Sequence, residues 1–329
     1  MGMTMIQLAD RLRIEADAYT FMEELRWPDG IAVCPHCDNH GATYIKPLNG
    51  KSRATRTGTQ SQRRVWRCLN CRKQFSVITG TMMHGTKIPL RVWCLCIFEL
   101  VSSKNGVAAR EIERKYGVCC RTAWHMMHRI REAMKDDQLQ TMRGVVIADE
   151  TWIGGLPKWK KGHKYGQGGQ GVTDKTPVLT LIDKERGESR SVVVPDVTGA
   201  TLRKVISQQV DMANSVLHTD EGQQYRQMGK EFIAHETVNH KAEEWVRYTR
   251  DAFVSTNAAE GFFAQLKRSI DGTHHRVSKE HLPRYLAEFD YRYNTRKITD
   301  TERMAKLMTQ TAGKRLSYKR ASAPKGRKV

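Results

Sequence analysis

The first apolar pattern along the chain has helical spacing. Ile6, Leu8, Leu12 and Ile14, then Phe21, Met22 and Leu25, precede Pro28 and Gly30, which stop a helix. Helical spacing returns over residues 87–135. Leu90, Trp93, Cys94, Ile97, Phe98 and Val101 mark one apolar face, and GVAAREIERKYGV predicts a second helix that ends at Gly117. CCRTAWHMMHRIREAM predicts a third, with Ala123, Met127, Ile130 and Met134 on its inner side. The rhythm then changes. Val145, Val146, Ile147 and Ala148 form a β-branched run, read as a buried strand ending at Asp149 and Glu150, with Gly154 and Gly155 beyond. PVLTLID and SVVVP, joined by KERGES, predict a hairpin. Thr201–Val210 predicts a helix capped by Thr198 or Thr201, and Ser215–Thr219 a strand ending at Asp220. A short helix near Gln223–Met228 and a strand near Phe232–Ala234 follow. Two more helices come after these. In 256–270, Ala259, Phe262, Phe263, Leu266 and Ile270 share a face at about 100° per residue, which leaves Glu260, Ala264 and Lys267 on its flank. In Lys279–Tyr293 the buried set is Leu282, Leu286, Phe289 and Tyr293.

The order β-β-β-α-β-α-β-α predicts an α/β, ribonuclease H-like core with helices on its sheet. The expected organisation is a helical arm (1–28), a zinc ribbon (29–80), a helix-turn-helix-like region (85–138), the ribonuclease H-like domain (141–300) and a basic tail (301–329).

The ribbon rests on Cys34-Pro35-His36-Cys37 and Cys68-Leu69-Asn70-Cys71. Two CxxC knuckles supply four thiolates, which close a tetrahedral structural Zn²⁺ site. His36 and His40 are competing ligands that four thiolates make unnecessary. Cys94, Cys96, Cys119 and Cys120 fall on or beside apolar faces and read as buried thiols. The helix pair before residue 135 is either a helix-turn-helix or part of an ordinary three-helix bundle. In the first case Arg121, Thr122, His125 and His128 face a nucleic acid.

Charge changes the picture. Lys and Arg number 55 against 35 Asp and Glu, a net charge of +20, which favours a polyanionic partner such as DNA. The Gly- and Lys-rich stretch after Gly154 is either a DNA-contacting loop, through Lys158, Lys160, Lys161 and Lys164, or a solvated one. The segment GKRLSYKRASAPKGRKV carries seven Lys or Arg and reads as disordered. No stretch reaches the roughly 18 apolar residues of a membrane span, and no secretory signal opens the chain. A cytoplasmic protein that does not engage membranes is expected.

Asp149, Asp220 and Glu260 are the candidate chemistry. Carboxylates gathered at strand ends repel one another unless cations lie between them, and hard oxygen donors suit Mg²⁺ or Mn²⁺. Two such ions would support phosphodiester cleavage, Asp149 bridging both while Asp220 and Glu260 hold one each. Asn257, one turn before Glu260, is the alternative third ligand. Glu150 and Glu221 are the neighbours most easily mistaken for the two aspartates.

ADETWIGG, HTDEGQQY, STNAAEGFFAQLKRSIDGTHHRVS and RYLAEFDYRYNTR resemble the DDE-type transposases of bacterial insertion sequences, in the ISXO-type group. CPHC, CLNC and TAWHMMHRIREAM are similar to that group as well. The resemblance implies Mg²⁺-dependent cleavage at element ends and joining of the 3′-hydroxyl to target DNA, with Asp149, Asp220 and Glu260 as the triad. It implies terminal inverted repeats and target DNA as partners, a homodimer or higher assembly on DNA, and a place at the bacterial nucleoid. Lys267 and Arg268 would contact phosphates, with His274 and His275 flanking the DNA. The competing readings are a zinc-ribbon DNA-binding regulator without catalysis and a metal-dependent nuclease on the same fold.

Overall fold

The computed structural model describes residues 2–44, 63–136, 139–154, 175–239, 246–248 and 253–316. Two compact units emerge. One comprises Met1–Ser103, Val107–Met134 and Ile298–Val329; the other comprises Lys104–Gly106 and Lys135–Lys297.

The first unit opens with helices α1 (Met5–Arg11) and α2 (Glu15–Arg26). Thr4 caps α1 in a capping box with Gln7. Strands β1 (Ala42–Tyr44), β2 (Trp66–Cys68) and β3 (Gln74–Phe75) form an antiparallel three-stranded ribbon. The ribbon docks on α2 through Trp27, which meets Trp66 and Phe75 edge-on at 5.7 and 6.1 Å. Beside this contact Glu23 accepts hydrogen bonds from Trp66 Nε1 and Arg64 Nε, both at 2.8 Å. Helix α3 (Leu90–Ser102) is almost wholly apolar and buried. Its N-cap is Pro89, which offers no side-chain acceptor, and the Glu15 carboxylate takes the N–H groups of Leu90 and Arg91 instead. Helix α4 (Ala109–Tyr116) stops at Gly117, whose φ of +65° is a left-handed cap, and α5 (Cys120–Ala133) follows after a tight turn.

The second unit is built on a five-stranded sheet. Its strands are β4 (Met142–Ile153), β5 (Thr176–Asp183), β6 (Glu188–Val193), β7 (Val210–Asp220) and β8 (Ala234–Val238). Their spatial order is β6-β5-β4-β7-β8, with β4–β5–β6 an antiparallel meander and β7 and β8 parallel to β4. This is the ribonuclease H-like topology that the element order predicted. Helix α6 (Gly199–Ser207), capped by Thr198, lies between β6 and β7 in sequence. Two 3-10 turns, Gln223–Tyr225 and Met228–Glu231, connect β7 to β8. A two-stranded ribbon of β9 (Arg247–Tyr248) and β10 (Phe253–Val254) precedes α7 (Asn257–Ser269). A π-helical turn (Ile270–His274) leads on to α8 (Leu282–Asn294). The register of β4 slips between Met142 and Gly144; Gly144 has φ +79° and sits where a Cβ would meet the Glu185 carboxylate at 2.5 Å.

Each face of the sheet has its own core. Val146, Ala148, Leu179, Leu181 and Leu217 pack with Leu202 and Ile206 of α6 and with Tyr225. Ile147, Ile153, Val178 and Ile182 pack with Phe262, Phe263 and Leu266 of α7 and Leu286 and Phe289 of α8.

The tail boundary at residue 301 is corrected. Asp300–Thr309 is helix α9, opened by a Thr299–Glu302 capping box and belonging to the first unit. Met304, Leu307 and Met308, at helical spacing, are buried. Thr301 Oγ1 accepts the Met3 N–H at 2.8 Å, so the segment before α1 meets the start of α9. Residues 317–329 of the basic segment lie outside the described residues.

Candidate active site and zinc centre

Strand alternation decides where each acid points. Ile147 and Ile153 belong to the core under α7, so Asp149, between them at even spacing, shares that face. On β7, His218 is the lateral partner of Ile147. The paired register ends there, and Asp149 and Asp220 each follow two residues later on their parallel strands, on the same side of the sheet. Helix α7 buries Ala259, Phe262, Phe263 and Leu266 on the same face. Glu260, half-buried in its first turn, accepts from Thr256 Oγ1 at 3.3 Å. Strand β4 does not end at Asp149 and Glu150, as the sequence suggested, but runs on to Ile153 paired with β5; within it the Glu150 N–H reaches Asp149 Oδ1 at 2.8 Å, and at the end of β7 the Gly222 N–H reaches Asp220 Oδ1 at 3.0 Å.

The electrostatics agree with this convergence. Burial, joined by the charges of Glu150, Asp220 and Glu260 and opposed by the hydrogen bond from the Glu150 N–H, raises the Asp149 carboxyl to about 7. The three acids, scattered over more than a hundred residues, therefore act on one another. Asn257 is exposed, with its N–H on Ser255 Oγ.

Half-buried carboxylates with hard oxygen donors fit divalent cations. Among the described residues only the four ribbon cysteines have all their ligand atoms within 4.8 Å of one another. Three carboxylates serving a pair of ions about 4 Å apart need not touch each other.

Glu150 lies on the opposite face of β4. Its Oε1 accepts the Tyr225 hydroxyl at 2.6 Å in the core beneath α6. Burial raises the Glu150 carboxyl and holds the Tyr225 phenol well above its usual range. The pairing was not foreseen from the sequence, although period-two alternation already separates Glu150 from Asp149.

In the ribbon, Cys34 Sγ lies 3.6 Å from Cys71 Sγ, and Cys37 Sγ 3.6 Å from Cys68 Sγ. Zn–S bonds of about 2.3 Å in a tetrahedron place sulfurs just under 4 Å apart, so the four thiols fit zinc. Burial pushes Cys34 up to about 12. Burial acts the same way on Cys68, yet the N–H groups of Cys71 and Asn70 carry that thiol down to about 7.

Comparison with known families bears on this pairing of a thiolate ribbon with an acidic strand-end cluster. The pattern of an ISXO2-like transposase domain matches residues 141–294, and that of a transposase zinc-ribbon domain matches residues 14–74. The chain carries an ISXO2-like transposase domain preceded by a transposase zinc ribbon. A relative from Halobacterium salinarum, described as an uncharacterized protein in transposable element ISH50, is 24% identical over 287 residues, covering 84% of this chain and 90% of that one. Among solved structures, a pre-cleavage Mos1 transpososome is 11% identical with a TM-score of 0.29, over 66% of this chain and 78% of that one. A simian T-cell lymphotropic virus intasome is 14% identical with a TM-score of 0.26, over 58% and 66%. Likenesses that loose carry no argument here.

The transposase places its expected DNA-contacting residues unevenly. Arg121 is exposed and Thr122 and His125 half-buried on α5. His128 is not on that outer face: it is fully buried, its ring 4.1 Å from that of Trp124 one turn earlier. Cys119, expected to be buried, is the exposed N-cap of α5, its Sγ 3.1 Å from Thr122 Oγ1. Lys267 and Arg268 are exposed in the last turn of α7. His274 is half-buried against Tyr285, and His275 is exposed. Lys158, Lys160, Lys161 and Lys164 lie outside the described residues. Among the described residues no helix is long and apolar enough to cross a membrane.

Proposed function

We propose that the transposase cuts its element's ends and joins the freed 3′-hydroxyls to target DNA, with Asp149, Asp220 and Glu260 as the metal-holding triad. The observation that carries the reading is Asp149, a half-buried carboxyl raised to about 7 whose charged neighbours include Asp220 and Glu260. Bound as a pair, Mg²⁺ or Mn²⁺ would activate the attacking oxygen and stabilise the leaving one. Asp149 would bridge the two positions, Asp220 and Glu260 each holding one.

In the first step, water oxygen bonds to phosphorus as the P–O3′ bond breaks, leaving a 3′-hydroxyl. In the second, that hydroxyl attacks a target phosphodiester and displaces its 3′-oxygen. Lys267 and Arg268 sit about two turns beyond Glu260 on α7, suited to the phosphates flanking the reacting one. Arg121, Thr122 and His125 of α5 would read the terminal inverted repeat, and Lys158, Lys160 and Lys161 would track the backbone. Pairing two element ends calls for at least a homodimer on DNA.

The test is a strand-transfer assay with the full chain, Mg²⁺, a labelled element end and a plasmid target. The expected product is label joined covalently to plasmid. A cut end that never joins would indicate a nuclease; specific binding without cutting would indicate a regulator.

A further inference from the structure

Glu150 and Tyr225 hold a position that the triad does not explain. Glu150 shares its backbone with Asp149 but points through the sheet to the other side. There its Oε1 meets the Tyr225 hydroxyl at 2.6 Å, and the Gln224 side chain also donates to it. Tyr225 closes the 3-10 turn that begins two residues after Asp220, the same turn whose Gly222 N–H holds Asp220 Oδ1. The turn is fixed from behind as well. Gly199 at the start of α6 packs so closely that a Cβ there would lie 2.9 Å from the Gln224 carbonyl, and the Tyr225 ring is buried with Leu202, Ile206 and Leu217. One hydrogen bond therefore ties β4, at the residue next to Asp149, to the turn that follows β7.

We propose that the Glu150–Tyr225 bond is a strut that fixes the spacing of Asp149 and Asp220, making both residues positioning groups for the divalent-metal site. The inference rests on the triad reading above. Asp149 is held within the β4–β5 ladder opposite Thr180, whereas Asp220 is the last residue of β7, so the turn that follows it must be tied to β4 if the two carboxylates are not to drift apart and weaken a shared cation site. The strut works from the dry face, where neither residue needs to touch metal or DNA. Outer partners that orient metal-binding carboxylates typically change affinity by about 10–100-fold when removed.

The experiment measures Mn²⁺ binding to the full-length protein by calorimetry and electron paramagnetic resonance, with thermal melts to verify folding. Tyr225→Phe removes only the hydroxyl, and Glu150→Ala removes its acceptor. Each should weaken Mn²⁺ binding about tenfold, with end cleavage recovering at saturating Mn²⁺. Glu150→Gln keeps an oxygen for the Tyr225 hydroxyl and should bind close to wild type, restoring what Glu150→Ala loses. Combining Tyr225→Phe with Glu150→Ala should add nothing to either alone. An unchanged affinity in Tyr225→Phe overturns the strut while leaving the triad standing. A Glu150→Gln loss as severe as that of Asp149→Asn also overturns it, because Glu150 would then be a ligand. Full Mn²⁺ affinity in Asp149→Asn overturns the triad itself, and the strut with it.

Discussion

Asp290 accepts the backbone N–H of Ser191 at 2.8 Å, so a side chain of α8 takes the place that another strand would occupy at the outer edge of β6. The same carboxylate takes the hydroxyls of Ser189 and Ser191, both at 2.9 Å, while Asn294 accepts the Ser189 N–H at 2.7 Å and donates to its carbonyl at 3.1 Å. An edge strand left bare is a template for pairing with other chains. Asp290→Ala should cost about 2–3 kcal/mol in urea unfolding, because it leaves buried donors without an acceptor. It should also raise light scattering on mild heating.

Asp149→Asn, Asp220→Asn and Glu260→Gln should each abolish end cleavage and joining, with element-end binding in gel shifts close to wild type. Asn257→Ala should leave both steps largely intact. Loss of activity in Asn257→Ala alone, with Glu260→Gln active, would move the third ligand to Asn257.

The raised Asp149 carboxyl has a thermodynamic consequence. Its folded value of about 7 exceeds the unfolded value of about 4, so the folded state holds more protons between them. Stability contributed at low pH is then lost as pH rises from about 4 through about 7. Without divalent metal, Asp149→Asn should be near-neutral at pH 4 and stabilising by about 1–3 kcal/mol at pH 8. Mn²⁺ should stabilise wild type at pH 8 and leave the variant unmoved. Thermal melts at both pH values, with and without the ion, read this directly.

Zinc should be present at one ion per chain. Structural zinc contributes on the order of 10 kcal/mol to the folding of such small modules. Cys68→Ser or strong chelation should therefore unfold the ribbon, seen as lost near-ultraviolet signal from Trp27 and Trp66, whose packing the ribbon creates. The sheet of the other unit should keep its far-ultraviolet signature.

DNA binding should weaken steeply with salt. Lys267→Ala combined with Arg268→Ala should lower the slope of log K against log salt by about two, one counterion per lost phosphate contact. An unchanged slope would show that these exposed side chains do not touch the backbone.

Much of this site was legible in the sequence because its signals are local. A β-branched run that ends in an acid announces Asp149, and paired CxxC knuckles announce the ribbon. The face of α7 that buries Phe262 and Phe263 also fixes which flank carries Glu260. What escaped is what depends on partners distant in sequence. His128 falls at a position that its own helix leaves open to solvent, and other elements of its unit bury it. Tyr225 looks like any loop tyrosine until the sheet brings Glu150 to it. Helix α9 is a different case. Thr299 and Glu302 form a readable capping box ahead of Met304, Leu307 and Met308, but the acid-free stretch beyond Glu302 drew the boundary too early.

Because α9 shares a unit with α2 and α3, that unit cannot close until the chain has been made past Thr309. The five-stranded sheet is already fully synthesised by then. Nascent chains stalled just short of Ile298 should resist protease across the sheet while the earlier-made helices remain cleavable. A newly made copy would then fold its five-stranded sheet before the helical unit that precedes it in sequence is complete.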